Sequence, residues 1–306
     1  MNDLSASVHA AITLLAAPQV ITTATTNPAV PRCLSVTGTK AGATLTGNVV
    51  LTGTDDNGDA CSATIALDGN ETIFDYWQPF ATVTQIDLPA QTTAGDTVKI
   101  GLVDRLFDVP TARAFHNTGL MASAPEYPSS DILDAEFEIR EWLESPMVCN
   151  VAFFPRLAKN EAHNGDNTYS LLLRHPLPLL VTAASIDYTT LTAPDLSPTD
   201  YTNGMAPSDS GLLERRNGVW GMGVKNCLVS YWHGYRVTPA LVRKAVLEIL
   251  VTELPKQVSP YTAERTEMGD VTLSFAAGDG FRGSWHRIPD VRKIIRMYGK
   301  RRMGVA

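Results

Sequence analysis

The sequence predicts a chain in two parts: a β-rich N-terminal sandwich domain, then an α+β domain that is mainly helical with a β-hairpin insert. Three observations carry this expectation. From about Val20 to Val103, short apolar or alternating runs follow one another between turn residues, the texture of a sandwich or barrel. Two later runs, "SSDILDAEFEIREWLES" and "VTPALVRKAVLEILVTEL", carry apolar residues at helical spacing. Between those helices lie β-like pieces, "VAFFPR", "YSLLLRHPLPLLVTAASI" and "NCLVSYWHGY".

The elements follow in order. The opening "MNDLSASVHAAITLLAAPQV" lacks a cationic stretch ahead of its apolar part and falls short of the ~20 apolar residues of a membrane span. A short amphipathic helix or arm is expected over residues 1–19, and no membrane association. The sandwich is expected over residues 20–105. In it Val49 and Leu51 alternate with Val50 and Thr52; Cys61, Ala63, Ile65 and Leu67 share one face, and Val98, Ile100 and Leu102 another. Asn57-Gly58 supplies the positive φ of a tight hairpin between two of these runs. Residues 106–128 lose the strand rhythm, hold three prolines and read as a linker. The next helix is capped by Ser129 or Ser130 and buries Ile132, Ala135, Ile139, Trp142 and Leu143. The long helix takes Thr238 as cap and Pro239 at its first position, with Leu241, Ala245 and Ile249 on one face. "MGDVTLSFAAG" reads as a strand, and "PDVRKIIRMY" as a short helix presenting Val291, Ile294, Ile295 and Tyr298 on one side.

Composition and motifs bound the function. At 44% hydrophobic and 19% charged, the 306 residues are those of an ordinary globular protein. Cys33, Cys61, Cys149 and Cys227 are scattered without a CxxC, so buried thiols are expected and a Cys33–Cys61 disulfide is the alternative. No GxSxG elbow occurs; His233 and His286, each beside a tryptophan, read as half-buried packing residues. "HNGD" from His163 to Asp166 reads as a turn rather than a metal corner, and the carboxylates of "TDDNGD" as a solvated hairpin tip rather than a calcium loop. Gly218, Gly221 and Gly223 are not spaced as GxGxxG and precede a strand. Glu136 and Glu138, two apart on a helix, point in different directions. Nothing here supports an enzyme, and no cofactor or metal is expected. Tyr76 and Trp77 in "FDYWQPF" read as packed aromatics, with sugar stacking the alternative.

Charge is unevenly placed. The chain is acidic, net −7 with a pI near 5.4, yet Arg292, Lys293, Arg296, Lys300, Arg301 and Arg302 crowd its last stretch and no acid follows Asp290. A docking arm is the favoured reading, because cations beyond a helix end gain little from its dipole. A solvated helix end is the bland one.

The order of pieces over residues 126–306 resembles the head–tail adaptor (connector) proteins of long-tailed bacteriophages. Its carriers are the acidic helix "DILDAEFEIREWLE", "HGY" before the Pro-initiated "LVRKAVLEI", "GDVTLSF" and "PDVRKIIRMYGKRR". The first domain is similar in texture to small β-sandwich modules of virion proteins. The resemblance implies an adaptor domain over 129–306 and a ring of about twelve copies below the portal. Such a ring extends the channel through which DNA leaves the head, and its C-terminal segment docks on the portal. The implied partners are other copies, the portal, a neck or tail-completion protein and passing DNA; the implied location is the virion neck, after assembly in the host cytoplasm. The competing expectations are a head-decorating or glycan-binding sandwich, and a nucleic-acid-binding protein using its basic tail.

Overall fold

The computed structural model describes residues 8–23, 25–42, 45–67, 69–91, 95–115, 128–191, 205–207, 211–215, 218–257, 266–268, 271–273, 285 and 288–299. Contacts divide the chain into two compact units. One is built from the N-terminal part through Asp104 and from Asn150–Thr238; the other joins Arg105–Cys149 to the segment from Pro239 through the last helix. The sequence pattern instead suggests a single division, around a linker.

The first unit begins with eight strands: β1 (His9–Thr13), β2 (Gln19–Ile21), β3 (Leu34–Thr39), β4 (Asn48–Thr54), β5 (Ala60–Ala66), β6 (Thr72–Phe74), β7 (Thr82–Leu88) and β8 (Thr97–Leu102). They form two antiparallel sheets, ordered β1-β8-β3-β6 and β2-β7-β4-β5. The alternation read from sequence is the alternation observed: Val49, Leu51, Ala63, Ile65, Val98 and Ile100 point into one shared core with Leu34, Val36 and Ile86. Asn57-Gly58 turns the β4–β5 hairpin, with Gly58 at φ 87° and the Asp55 carboxylate accepting from the N–H groups of Asn57 and Asp59. Gly53 lies where β4 shifts register against β7, and a Cβ there would sit 1.9 Å from the Thr82 carbonyl oxygen. The strands approach that closely only because the side chain is absent.

One expectation is corrected at the start of the chain. His9–Thr13 is a strand paired to β8, not a helix. The alanine-rich segment has good helix propensity, but Val8 and Leu14 at its ends are buried in the sandwich core, and an open edge of β8 was available. All four cysteines are free thiols, so the disulfide alternative falls. Tyr76 is buried with Cys33, Phe74 and Val103, whereas Trp77 is 73% exposed, against the expectation of a packed aromatic.

The second unit starts at Arg105, one residue ahead of the expected linker, and within that linker α1 (Val109–Phe115) forms and Leu106, Phe107 and Val109 are buried. Helix α2 (Ser129–Glu144) has the expected length and buries the expected face. Its cap differs: Pro128 occupies the N-cap position without a side-chain hydrogen bond, and its carbonyl accepts from the Asp131 N–H at 3.0 Å. Glu136 is fully buried on α2, accepting from the Leu106 N–H at 2.9 Å and pairing with Arg140 at 3.3 Å.

After α2 the chain returns to the first unit and forms β9 (Arg156–Gly165), β10 (Ser170–Leu172), β11 (Pro178–Ile186), β12 (Thr189–Thr190), β13 (Met205–Pro207), β14 (Leu212–Arg215) and β15 (Gly223–His233). These make sheets ordered β12-β11-β15-β9 and β10-β14-β13, more strand than one hairpin insert. Trp220, Leu213, Val229 and Tyr231 lead the core of this β region. Arg32 is buried beside Val103, donating to its carbonyl; burial lowers the Arg32 pKa to about 10 against the opposing pull of Asp104. Arg236 pairs with Asp56 at the β4–β5 tip, tying β region and sandwich together within the unit.

Helix α3 (Ala240–Gln257) then re-enters the helical unit. Pro239 stands one residue ahead of it rather than at its first position, its carbonyl accepting from the Val242 and Arg243 N–H groups, and the Thr238 hydroxyl donates to the Phe153 carbonyl at 2.9 Å instead of capping. Val242, Ala245, Val246, Leu247, Ile249 and Leu250 are all buried, so α3 is apolar around much of its circumference, as befits a helix with neighbours on several sides. It packs against both α2 and the last helix. A hairpin of β16 (Thr266–Met268) and β17 (Val271–Leu273) and then α4 (Pro289–Tyr298) complete the order. Val291 and Ile294 are the buried side of α4, and Trp285 meets Trp142 edge to face at 4.9 Å.

Candidate functional site

Two features carry chemistry. The first is the outer face of α4. With Val291 and Ile294 packed inward, the 3.6-residue period turns Arg292, Lys293 and Arg296 outward together, beside a 53% exposed Met297. Asp290, in the first turn, pairs with Lys244 of α3 at 2.6 Å, which holds its carboxyl below the usual range. The helix ends at Gly299, whose N–H donates to the Ile295 carbonyl. Three of the six basic residues picked out by sequence are therefore on one face. Lys300, Arg301 and Arg302 lie outside the described residues, as does His286.

The second feature was not anticipated. Glu161 on β9 is a hub: the Tyr231 hydroxyl on β15 donates to it at 2.5 Å, and Arg174 lies 3.3 Å away. His163 approaches to 3.2 Å and His175 to 3.6 Å. The His163 contact has the distance of an ion pair but not the direction of a hydrogen bond. The imidazoles of His175 and His233 stack at 4.3 Å, tilted by only 7°. Strand geometry explains the gathering. Glu161 and His163 are two apart on β9, Tyr231 and His233 two apart on β15, and the adjacent strands bring both pairs to one region. A bulge at Asn160, with φ 50°, sets the local register.

The electrostatics follow from burial and this one carboxylate. Burial pushes the Glu161 carboxyl up, but His163, the Tyr231 hydroxyl and His175 outweigh it and hold the pKa at about 2. Burial, with His175 and Arg156 nearby, drives His233 down to about 3, against Glu161. Burial also lowers His175, again opposed by Glu161. The Tyr231 hydroxyl is raised by burial and then by Glu161, so it stays a donor. The group thus holds one anion among donors and keeps its stacked imidazoles neutral at ordinary pH. Its direct consequence is a rigid corner between β9, β15 and the turn leading into β11.

His163 therefore belongs to a strand, not to a turn; the turn follows at Asp166, whose carboxylate accepts from the Thr168 N–H at 3.1 Å. His233 is a packing residue, as sequence suggested, but it is buried rather than half-buried and stacks on another histidine. Among the described residues, no three or more His, Cys, Asp or Glu are arranged to hold a metal ion, and no helix is long and apolar enough to cross a membrane. Burial, with Glu144 behind it, pushes the Cys149 thiol up to about 12, which leaves it unreactive. No protein-family model matches the chain, and no curated protein matches it.

Proposed function

We propose that this chain is a structural virion protein of a long-tailed phage, a head–tail adaptor that forms a ring below the portal and continues the DNA channel. The observation that carries the reading is the interrupted helical unit. Helices α2, α3 and α4 pack together although a whole β region separates α2 from α3, the order in which the adaptor-like pieces occur along the sequence. The basic side of α4 leads directly to Lys300, Arg301 and Arg302, which form the portal-docking arm. The sandwich is an added module, and the acidic balance of −7 limits adhesion of passing DNA. Copies of the chain, the portal, a neck or tail-completion protein and DNA are its partners in the neck.

The test is deletion of residues 300–306. Gly299 is kept, because it closes the last turn of α4. The shortened chain is expected to fold normally and to fail in joining portal-bearing heads to tails, leaving tailless particles in micrographs. Tail attachment at the normal level would overturn the docking arm.

One observation favours a second reading, a glycan-binding sandwich: Trp77 is exposed on the loop after β6, its backbone N–H donating to the Asp75 carboxylate at 3.1 Å. Quenching of tryptophan fluorescence by oligosaccharides, absent in Trp77→Ala, would support that role; an unchanged response would remove it.

A further inference from the structure

We infer that copies of this chain join head to tail by placing the basic face of α4 on the acidic face of a neighbour's α2. The inference rests on the ring reading above and names the partner of one face. Helix α2 exposes Asp131, Asp134, Glu138 and Glu141, spaced i, i+3, i+7 and i+10, so they form one stripe. At 1.5 Å per residue that stripe is about 15 Å long. Phe137, 41% exposed, lies along it. Helix α4 exposes Arg292, Lys293 and Arg296 with Met297 beside them. Each face is thus a charged stripe of one sign with one large apolar side chain, and the signs are opposite.

Within the chain, both helices turn their apolar sides to the bundle: α2 buries Ile132, Ile139 and Leu143, and α4 buries Val291 and Ile294. The charges at the α3–α4 joint are matched internally, Lys244 taking Asp290 at 2.6 Å and Glu248 at 3.4 Å. The two outward stripes are different surfaces of one unit, so a contact that uses one stripe from each copy is heterologous. Repeated, it closes into a ring or runs on as a filament. A like-with-like contact would set acid on acid or base on base. Charge complementarity therefore selects a second copy, in one orientation, as the occupant. The six basic residues then divide: those on α4 bind the neighbouring copy, and those beyond Gly299 reach the portal.

The test uses the full chain and two charge-reversed variants, one combining Arg292→Glu, Lys293→Glu and Arg296→Glu, the other Asp131→Lys, Asp134→Lys, Glu138→Lys and Glu141→Lys. Sedimentation is measured at low and high salt, with circular dichroism to establish folding. The unmodified chain is expected to self-associate at low salt and less at high salt, since screening weakens exposed pairs. Each variant alone should associate at least about tenfold more weakly, because its two faces then carry the same sign. An equimolar mixture should recover association, since each variant's α4 face complements the other's α2 face. If either variant associates as the parent does, or if the mixture fails to recover, the pairing is overturned. A parent chain that remains monomeric at low salt and high concentration overturns it too. None of these failures touches the adaptor reading, whose own test is tail joining. Should a full reversal misfold, Lys293→Glu with Arg296→Glu and Asp134→Lys with Glu138→Lys remove the attraction between parent faces and should weaken association in the same direction.

Discussion

Replacing His233 by phenylalanine should flatten the pH dependence of stability. The ring would keep its stack on His175, but the group could no longer take up a proton. In the folded protein the His233 pKa is about 3, against 6.5 for an unperturbed imidazole. As pH falls below 6.5 the unfolded chain binds a proton there that the folded chain refuses, so stability is full above that value and declines toward pH 3. Each tenfold difference in proton affinity is worth about 1.4 kcal/mol, so between pH 8 and pH 5 this single group removes about 2 kcal/mol. His175 is lowered as well and adds loss of the same sign. The depressed Glu161 carboxyl acts in a separate window, its contribution present above pH 4.5 and lost as pH falls toward about 2. Urea unfolding across pH 8 to 5 gives the slope, and the comparison is between slopes, so any offset at pH 8 cancels. The variant should lose about 2 kcal/mol less than the parent over that range. Histidine-resolved NMR gives a direct second readout, with the His233 ring neutral down to about pH 4. Parallel slopes, or a His233 ring that titrates near 6.5, would refute the reasoning.

Three further outcomes are expected. Ile249→Asp places an unpaired charge on a fully buried position of α3 and should cost about 3–5 kcal/mol, read as loss of a cooperative thermal transition; unchanged unfolding would mean this side of α3 is not core. Gly53→Ala forces a methyl group against the Thr82 carbonyl, so β4 and β7 must part at a cost of about 1–3 kcal/mol, with faster amide exchange at Thr54; native exchange there would contradict the packing. Limited proteolysis should spare Leu106 to Ala112, where buried side chains and α1 protect the backbone, and a first cut inside that stretch would show that the segment is not docked.

Much of the sandwich was legible because one buried face on a strand leaves a period of two, which Ala63 and Ile65 on β5 and Val98 and Ile100 on β8 display without ambiguity. Helices α2 and α4 were legible for the same reason at a period of 3.6, and the basic face of α4 came with it. The N-terminal strand was not, since its alanines favour a helix and only the waiting edge of β8 decides otherwise. The Glu161 group was hidden by a different mechanism. Its signal is a polar pair two apart on each of two strands, Glu161 with His163 and Tyr231 with His233, and it becomes visible only once those strands are known to be neighbours. Reading "HNGD" as a turn removes His163 from the strand and erases half of the pattern. The internal role of Glu136 was invisible for a related reason, because its partner, the Leu106 N–H, is backbone and leaves no mark in the sequence.

The split helical unit also constrains the order of events during synthesis. Helix α2 leaves the ribosome well before α3, and the whole β region is made in between. The sandwich, closed by β8, can fold as soon as it emerges, and β9 to β15 can follow onto it. Ile132, Ile139 and Leu143 must meanwhile wait without their partners on α3. Pairing across so long a loop makes the helical unit the last and slowest part to close, and the part most open to wrong association while it waits. A nascent chain halted before α3 is a folded β protein carrying a sticky helix, a natural target for a chaperone.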